Sequence, residues 1–173
     1  MKYLTAPYLT LMNAFKDHSE DVLSKQTYKQ DRIANMQEHC TLRIDGGRQT
    51  GKTEAVSMFA RDWIEDGGQV ICLADTVSFA KCTADRIMNK HGAKLRHDIR
   101  GKVFTQSIRS FLSDSMMVTY RGYSFSKILI IIDEPCSRMP EIYKFYKAFE
   151  DNLAINTLYG GSKLPLFFVI GIQ

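Results

Sequence analysis

Thr41-Leu42-Arg43-Ile44, then Asp45, then Gly46-Gly47-Arg48-Gln49-Thr50-Gly51-Lys52-Thr53: this stretch decides the fold. A short β-rich run leads into a loop of the form G-x-x-x-x-G-K-[ST], and apolar Ala55, Val56, Phe59, Ala60 and Trp63 follow at helical spacing. Strand, glycine loop and helix in that order are the context in which the pattern carries physical meaning. Glycines let the backbone wrap an anion so that successive N–H groups point inward, and the helix N-terminus adds the positive end of its dipole. In such a cradle Lys52 reaches the β- and γ-phosphates of a nucleotide, and the Thr53 hydroxyl ligates Mg²⁺. Without its flanks the same pattern is an ordinary glycine-rich turn ending in an exposed lysine.

Outward from this stretch, four more β-rich runs stand at 69–74, 102–105, 128–132 and 166–170. The runs at 128–132 and 166–170 are apolar on both faces, as strands covered from each side must be. Helix-like stretches separate them at 53–66, 78–90, 106–117 and 140–154, and Gly67-Gly68 closes the first. This alternation predicts an α/β fold, a three-layer sandwich around a mostly parallel sheet. An amphipathic segment at about 8–38 comes before it. The expected organisation is a single domain over 1–173, with a helical lead-in at 1–38 and a core at 39–173.

The run Ile128 to Ile132 delivers Asp133-Glu134 at its C-terminal end, where α/β sheets bind their ligands. Asp133 is placed to hold the Mg²⁺ shell and Glu134 to take a proton from an attacking water. Alone, Asp133-Glu134-Pro135 reads equally as a polar turn; the glycine loop upstream makes the catalytic reading the better one. Arg48 lies inside the loop, where it can neutralise γ-phosphate charge or pair with a surface carboxylate. Gln173, after the last apolar run, is either a γ-phosphate sensor or a polar chain end.

Composition narrows the partners. With 45% hydrophobic and 24% charged residues the chain is neither collagenous nor disordered. Its net charge of +4 is regional: residues 81–109 hold eight basic against two acidic side chains. Lys90, Lys94 and Arg96 sit at the centre of that stretch, which fits a phosphodiester backbone or a solvated helix face. Arg121-Gly122-Tyr123-Ser124-Phe125 reads as a nucleic-acid contact or a turn, and the Met and aromatic residues at 111–123 as core. The four cysteines form no C-x-x-C pair, and the histidines lack ligand spacing. Neither a signal peptide nor an apolar run of membrane-spanning length occurs, so a reduced cytoplasm and no membrane partner are expected.

Gly47-Arg48-Gln49-Thr50-Gly51-Lys52-Thr53 with Tyr28-Lys29-Gln30 upstream, and Arg121-Gly122 before the run that ends in Asp133-Glu134, resembles the ATPase domain of large terminase subunits, the DNA-packaging motors of tailed phages. The resemblance covers about 28–134. It implies a RecA-like P-loop NTPase of the ASCE type, with Gly46 to Thr53 as Walker A motif and Asp133-Glu134 as Walker B. Arg48 would then be the cis-acting arginine, Lys52 and Thr53 the phosphate and Mg²⁺ residues, and Glu134 the catalytic carboxylate. Tyr28 and Gln30 would frame the adenine. The strand at 166–170 should lie between the strands at 41–44 and 128–132.

The implied activity is Mg²⁺-dependent ATP hydrolysis coupled to packaging or translocation of double-stranded DNA. A second copy of the chain or a phage motor or portal protein would be the partner, in the host-cell cytoplasm. Terminases continue past the last strand into a coupling motif, a lid and a nuclease domain, whereas this sequence ends at Gln173. DNA cleavage is therefore not expected of it. The alternative is a regulatory or helicase-like module that binds ATP and nucleic acid, or a motor partner, without being a stand-alone motor.

Overall fold

The computed structural model describes residues 4–25, 31–88, 101–113, 120, 122–133, 140–154 and 163–171. Five strands, β1 (Thr41–Ile44), β2 (Gln69–Ala74), β3 (Val103–Ser107), β4 (Ile128–Asp133) and β5 (Leu166–Ile170), form one sheet. Its order is β1-β5-β4-β2-β3 and every pairing is parallel. The strand at 166–170 does lie between those at 41–44 and 128–133.

Alternate residues of the buried strands feed two separate cores. Val70, Cys72, Ala74, Leu129, Ile131, Leu166, Phe168 and Ile170 face one side, and Ile71, Leu73, Ile128, Ile130, Ile132, Phe167 and Val169 the other. The period of two is the geometry of a pleated strand, and apolar residues at both phases are why these runs could only be central. On the first face lie α1 (Thr5–Lys25), α3 (Lys52–Glu65) and α4 (Val77–Met88). The second face carries α2 (Arg32–His39), α5 (Ile108–Phe111) and α6 (Ile142–Asn152). From β1 to β2 to β3 the chain steps one way across the sheet, with α3 and α4 on one face. From β3 to β4 to β5 it steps back, with α5 and α6 on the other, as a constant crossover hand demands.

Gly67 and Gly68 close α3 as expected, their N–H groups donating to the Ile64 and Trp63 carbonyls at 3.0 and 2.9 Å. One expectation is corrected. The stretch 106–117 is not a helix throughout: β3 runs on to Ser107, because Leu73 and Ala74 still offer parallel partners to Gln106 and Ser107. Ser107 then accepts from the Ser110 N–H and caps a helix that ends at Phe111. Residues 114–119 lie outside the described ones.

The amphipathic segment at about 8–38 falls on α1 and α2. Asp31 caps the second by accepting from the Ile33 N–H at 3.0 Å. Neither helix stands apart from the core: Met12 of α1 and Met36 of α2 are fully buried, one in each hydrophobic cluster. Of the aromatics expected in the core, Phe111 and Tyr120 are buried, whereas Tyr123 is exposed and offers its ring edge-on to Phe104.

Candidate functional site

β1 hands the chain to the glycine loop through left-handed backbone at Gly47 (φ 67°), Gln49 (φ 58°) and Gly51 (φ 103°). Glycine takes these angles without penalty, and Gln49 is the one non-glycine residue among the described ones to do so. α3 then starts at Lys52, with the Ala55 N–H closing the first turn on the Gly51 carbonyl at 2.9 Å. The N–H groups ahead of Ala55 have no acceptor within the helix, which leaves the loop lined with donors.

Lys52 is 7% exposed, and its ammonium donates to the Gly47 carbonyl across the loop. A neutral carbonyl is a weak counterpart for a buried cation, and a phosphate oxygen in the same hollow would be a stronger one. The donor set, the curled backbone and the inward ammonium therefore fit the β- and γ-phosphates of a nucleotide. Thr53 stands half-buried one residue into the helix. Arg48 and Gln49 are exposed at the loop tip, and Arg48 makes no ion pair among the described residues. Its alternative role as half of a surface salt bridge finds no partner there.

Gly46 is held by a neighbour that its sequence position does not reveal. The Tyr8 hydroxyl of α1 lies where a side chain on Gly46 would stand, and reaches Thr50 Oγ1 at 3.4 Å. α1 thus lies against the loop. Gly46→Ala is expected to push the Tyr8 ring aside and cost about 1 kcal/mol. Tyr8→Phe in the same chain should recover much of that, since the clashing atom is the hydroxyl. Thermal midpoints of the two single variants and the double variant check this through their non-additivity.

The sheet brings the acidic tip to the loop. Ile44 pairs with Ile170, and Ile170 with Asp133, so one row of the sheet joins the end of β1 to the end of β4. Two strand spacings amount to about 10 Å between backbones, within reach of facing side chains and one bridging ion. Asp133 shares the face of Leu129 and Ile131, on which α3 and α4 also pack. Thr83 of α4 donates its hydroxyl to Asp133 Oδ2 at 2.5 Å. Beneath them burial pushes the Cys72 thiol far up, and the negative charge of Asp133 adds to the effect.

A magnesium ion would take Thr53 and Asp133 together with phosphate oxygens and water, since Mg²⁺ rarely uses more than two protein carboxylates. Among the described residues no three His, Cys, Asp or Glu gather into a metal site of another kind.

Glu134, Tyr28, Gln30 and Gln173 lie outside the described residues, as do Lys90, Lys94, Arg96, Arg100 and Arg121. Of the other basic residues in 81–109, Lys81, Arg86 and Arg109 are exposed, whereas Lys102 is half-buried with its ammonium 3.4 Å from the Ile64 carbonyl. Lys102 is thus tied to the fold rather than offered to a polyanion. Reading the sequence missed Tyr8 and Thr83. For Thr83 there was a signal, a hydroxyl on the apolar stripe Ala80, Ala84 and Ile87 of α4. Tyr8 gave none, because its partner is 38 residues away.

The fold and site define a three-layer α/β chain with an all-parallel sheet, whose glycine loop and acidic strand end occupy one edge. The chain belongs to the family of a phage protein, the uncharacterized 25.0 kDa protein of the regB-denV intergenic region of Enterobacteria phage T4. The two are 41% identical over 178 aligned residues, which cover 99% of this chain and 80% of that relative. No protein-family model matches the chain. No helix among the described residues is long and apolar enough to cross a membrane.

Proposed function

We propose that this chain is a RecA-like, Mg²⁺-dependent ATPase domain related to the packaging motors of tailed phages, coupling hydrolysis to movement of double-stranded DNA. The observation that carries the reading is the row Ile44, Ile170, Asp133, which sets the acidic end of β4 beside the loop holding Lys52. A buried ammonium, a helix N-terminus, a hydroxyl and a carboxylate at one edge are what a magnesium-triphosphate needs. Similarity to a phage T4 protein supports a phage setting, and with it the host cytoplasm.

In this reading Lys52 leaves the Gly47 carbonyl for the β- and γ-phosphate oxygens, and Thr53 and Asp133 hold the metal. A magnesium ion held by Thr53 and Asp133 would supply charge neutralisation for the triphosphate. Glu134 accepts a proton from the water that attacks the γ-phosphorus as the bond to the bridging oxygen breaks, giving ADP and phosphate. Arg48 swings from the solvent toward the γ-phosphate. With Arg48 exposed at the loop tip, a neighbouring copy or motor protein would cover this edge and seclude the reaction.

Steady-state phosphate release from ATP tests the activity: the expected result is turnover that requires Mg²⁺ and rises with double-stranded DNA. Nucleotide binding without turnover would favour the regulatory module instead. DNA affinity should fall steeply between low and physiological salt, by counterion release. Reversing the charges of Lys90, Lys94 and Arg96 should flatten that slope by about one unit for each phosphate no longer neutralised. An unchanged slope would remove DNA from the proposal and leave the ATPase.

A further inference from the structure

We propose that Thr83 is a positioning residue for the metal site, holding the Asp133 carboxylate in the orientation that Mg²⁺ requires; the role rests on the nucleotide-site reading above. A threonine inside a helix commonly returns its hydroxyl to a carbonyl of its own preceding turn. Thr83 is 3% exposed in the middle of α4, and it sends its hydroxyl across to another element, to Asp133 Oδ2 at 2.5 Å. Hydrogen bonds to an ionised oxygen are short and strong, and this one fixes a carboxylate that ends a rigid strand.

The donor is itself held firmly. Ala80, Ala84 and Ile87 anchor α4 in the core of that face. Buried Arg61 of α3 caps the far end of α4, donating from Nε to the Ile87 carbonyl at 2.9 Å and from Nη2 to that of Arg86 at 3.0 Å. Because α3 begins at Lys52, Arg61 and Thr83 together tie the phosphate loop's helix, through α4, to the metal carboxylate. Outer partners of this kind orient a ligand without touching the ion, and losing one typically costs about 10- to 100-fold in metal affinity or activity.

Thr83→Val keeps the side chain's shape and removes the donor, while Thr83→Ser keeps the donor. The test follows binding of a fluorescent, non-hydrolysable ATP analogue as Mg²⁺ is titrated, with a parallel series in EDTA and thermal midpoints of each variant. In Thr83→Val the half-saturating Mg²⁺ should rise about 10-fold, while affinity in EDTA stays unchanged. Thr83→Ser should follow the unmutated chain. Thr83→Ala, which adds no atom, serves in place of Val if that variant does not fold.

An unshifted Mg²⁺ dependence in Thr83→Val, beside normal Mg²⁺ linkage in the unmutated chain, overturns the positioning role alone. Equal weakening with and without Mg²⁺ also overturns it, since that marks a packing residue. If the unmutated chain shows no Mg²⁺-dependent binding of the analogue, the nucleotide site falls and the role with it.

Discussion

Lys52→Ala should weaken MgATP binding about 100-fold and take hydrolysis below detection. Lys52 is 7% exposed, and the partner of its ammonium within the loop is the Gly47 carbonyl. In the proposed site a phosphate would give Lys52 ionised oxygens in place of that neutral acceptor. A charge-assisted hydrogen bond there contributes roughly 3 kcal/mol, and about 1.4 kcal/mol is a factor of ten in affinity.

The same substitution should leave the ligand-free fold nearly as stable as before, or slightly more so. It removes a buried charge that has no anionic partner among the described residues, and alanine suits the first turn of a helix. The two effects separate in one experiment. MgATP should raise the thermal midpoint of the unmutated chain by mass action, and in Lys52→Ala the midpoint without nucleotide should stay while the rise disappears. A midpoint that still rises fully with MgATP would place the nucleotide elsewhere.

Glu134→Gln should leave MgATP affinity within about twofold and reduce turnover by roughly 10² to 10⁴. The amide matches the carboxylate in shape and keeps an oxygen for hydrogen bonding, but it is far too weak a base to accept the proton of the attacking water. Asp133, one residue earlier, would remain to hold the metal, so binding and chemistry should come apart. Asp133→Asn should instead weaken the Mg²⁺ dependence of binding itself, because the carboxylate that Thr83 orients loses its charge. Equal losses of affinity and turnover in Glu134→Gln would contradict its role as base. Retained turnover would hand the water to another group.

Much of the fold was legible because its signals are local. The runs at 128–132 and 166–170 are apolar at both phases, and only a strand covered on each face buries both. The glycine loop was legible because left-handed backbone at Gly47 and Gly51 demands the residue type that the sequence shows. What stayed hidden depends on distant partners. β3 extends to Ser107 because β2 still offers hydrogen-bonding partners there, a fact of sheet register rather than of local spacing. The Tyr8 packing on Gly46 and the Thr83 bond to Asp133 arise where elements far apart in sequence meet; the apolar stripe of α4 sets Thr83 apart, but no local pattern names either partner. The amphipathic pattern of the lead-in at 1–38 signals an apolar stripe but not the surface that receives it. Met12 and Met36 show that both helices dock.

The most direct test is a crystal structure of the chain with a non-hydrolysable ATP analogue and Mg²⁺. The β-phosphate should sit in the loop against the N–H groups of Gly51, Lys52 and Thr53, with Lys52 turned from Gly47 onto phosphate oxygens. The metal should lie between the Thr53 hydroxyl and Asp133. A nucleotide bound away from the loop, or a metal held without Asp133, would contradict the account.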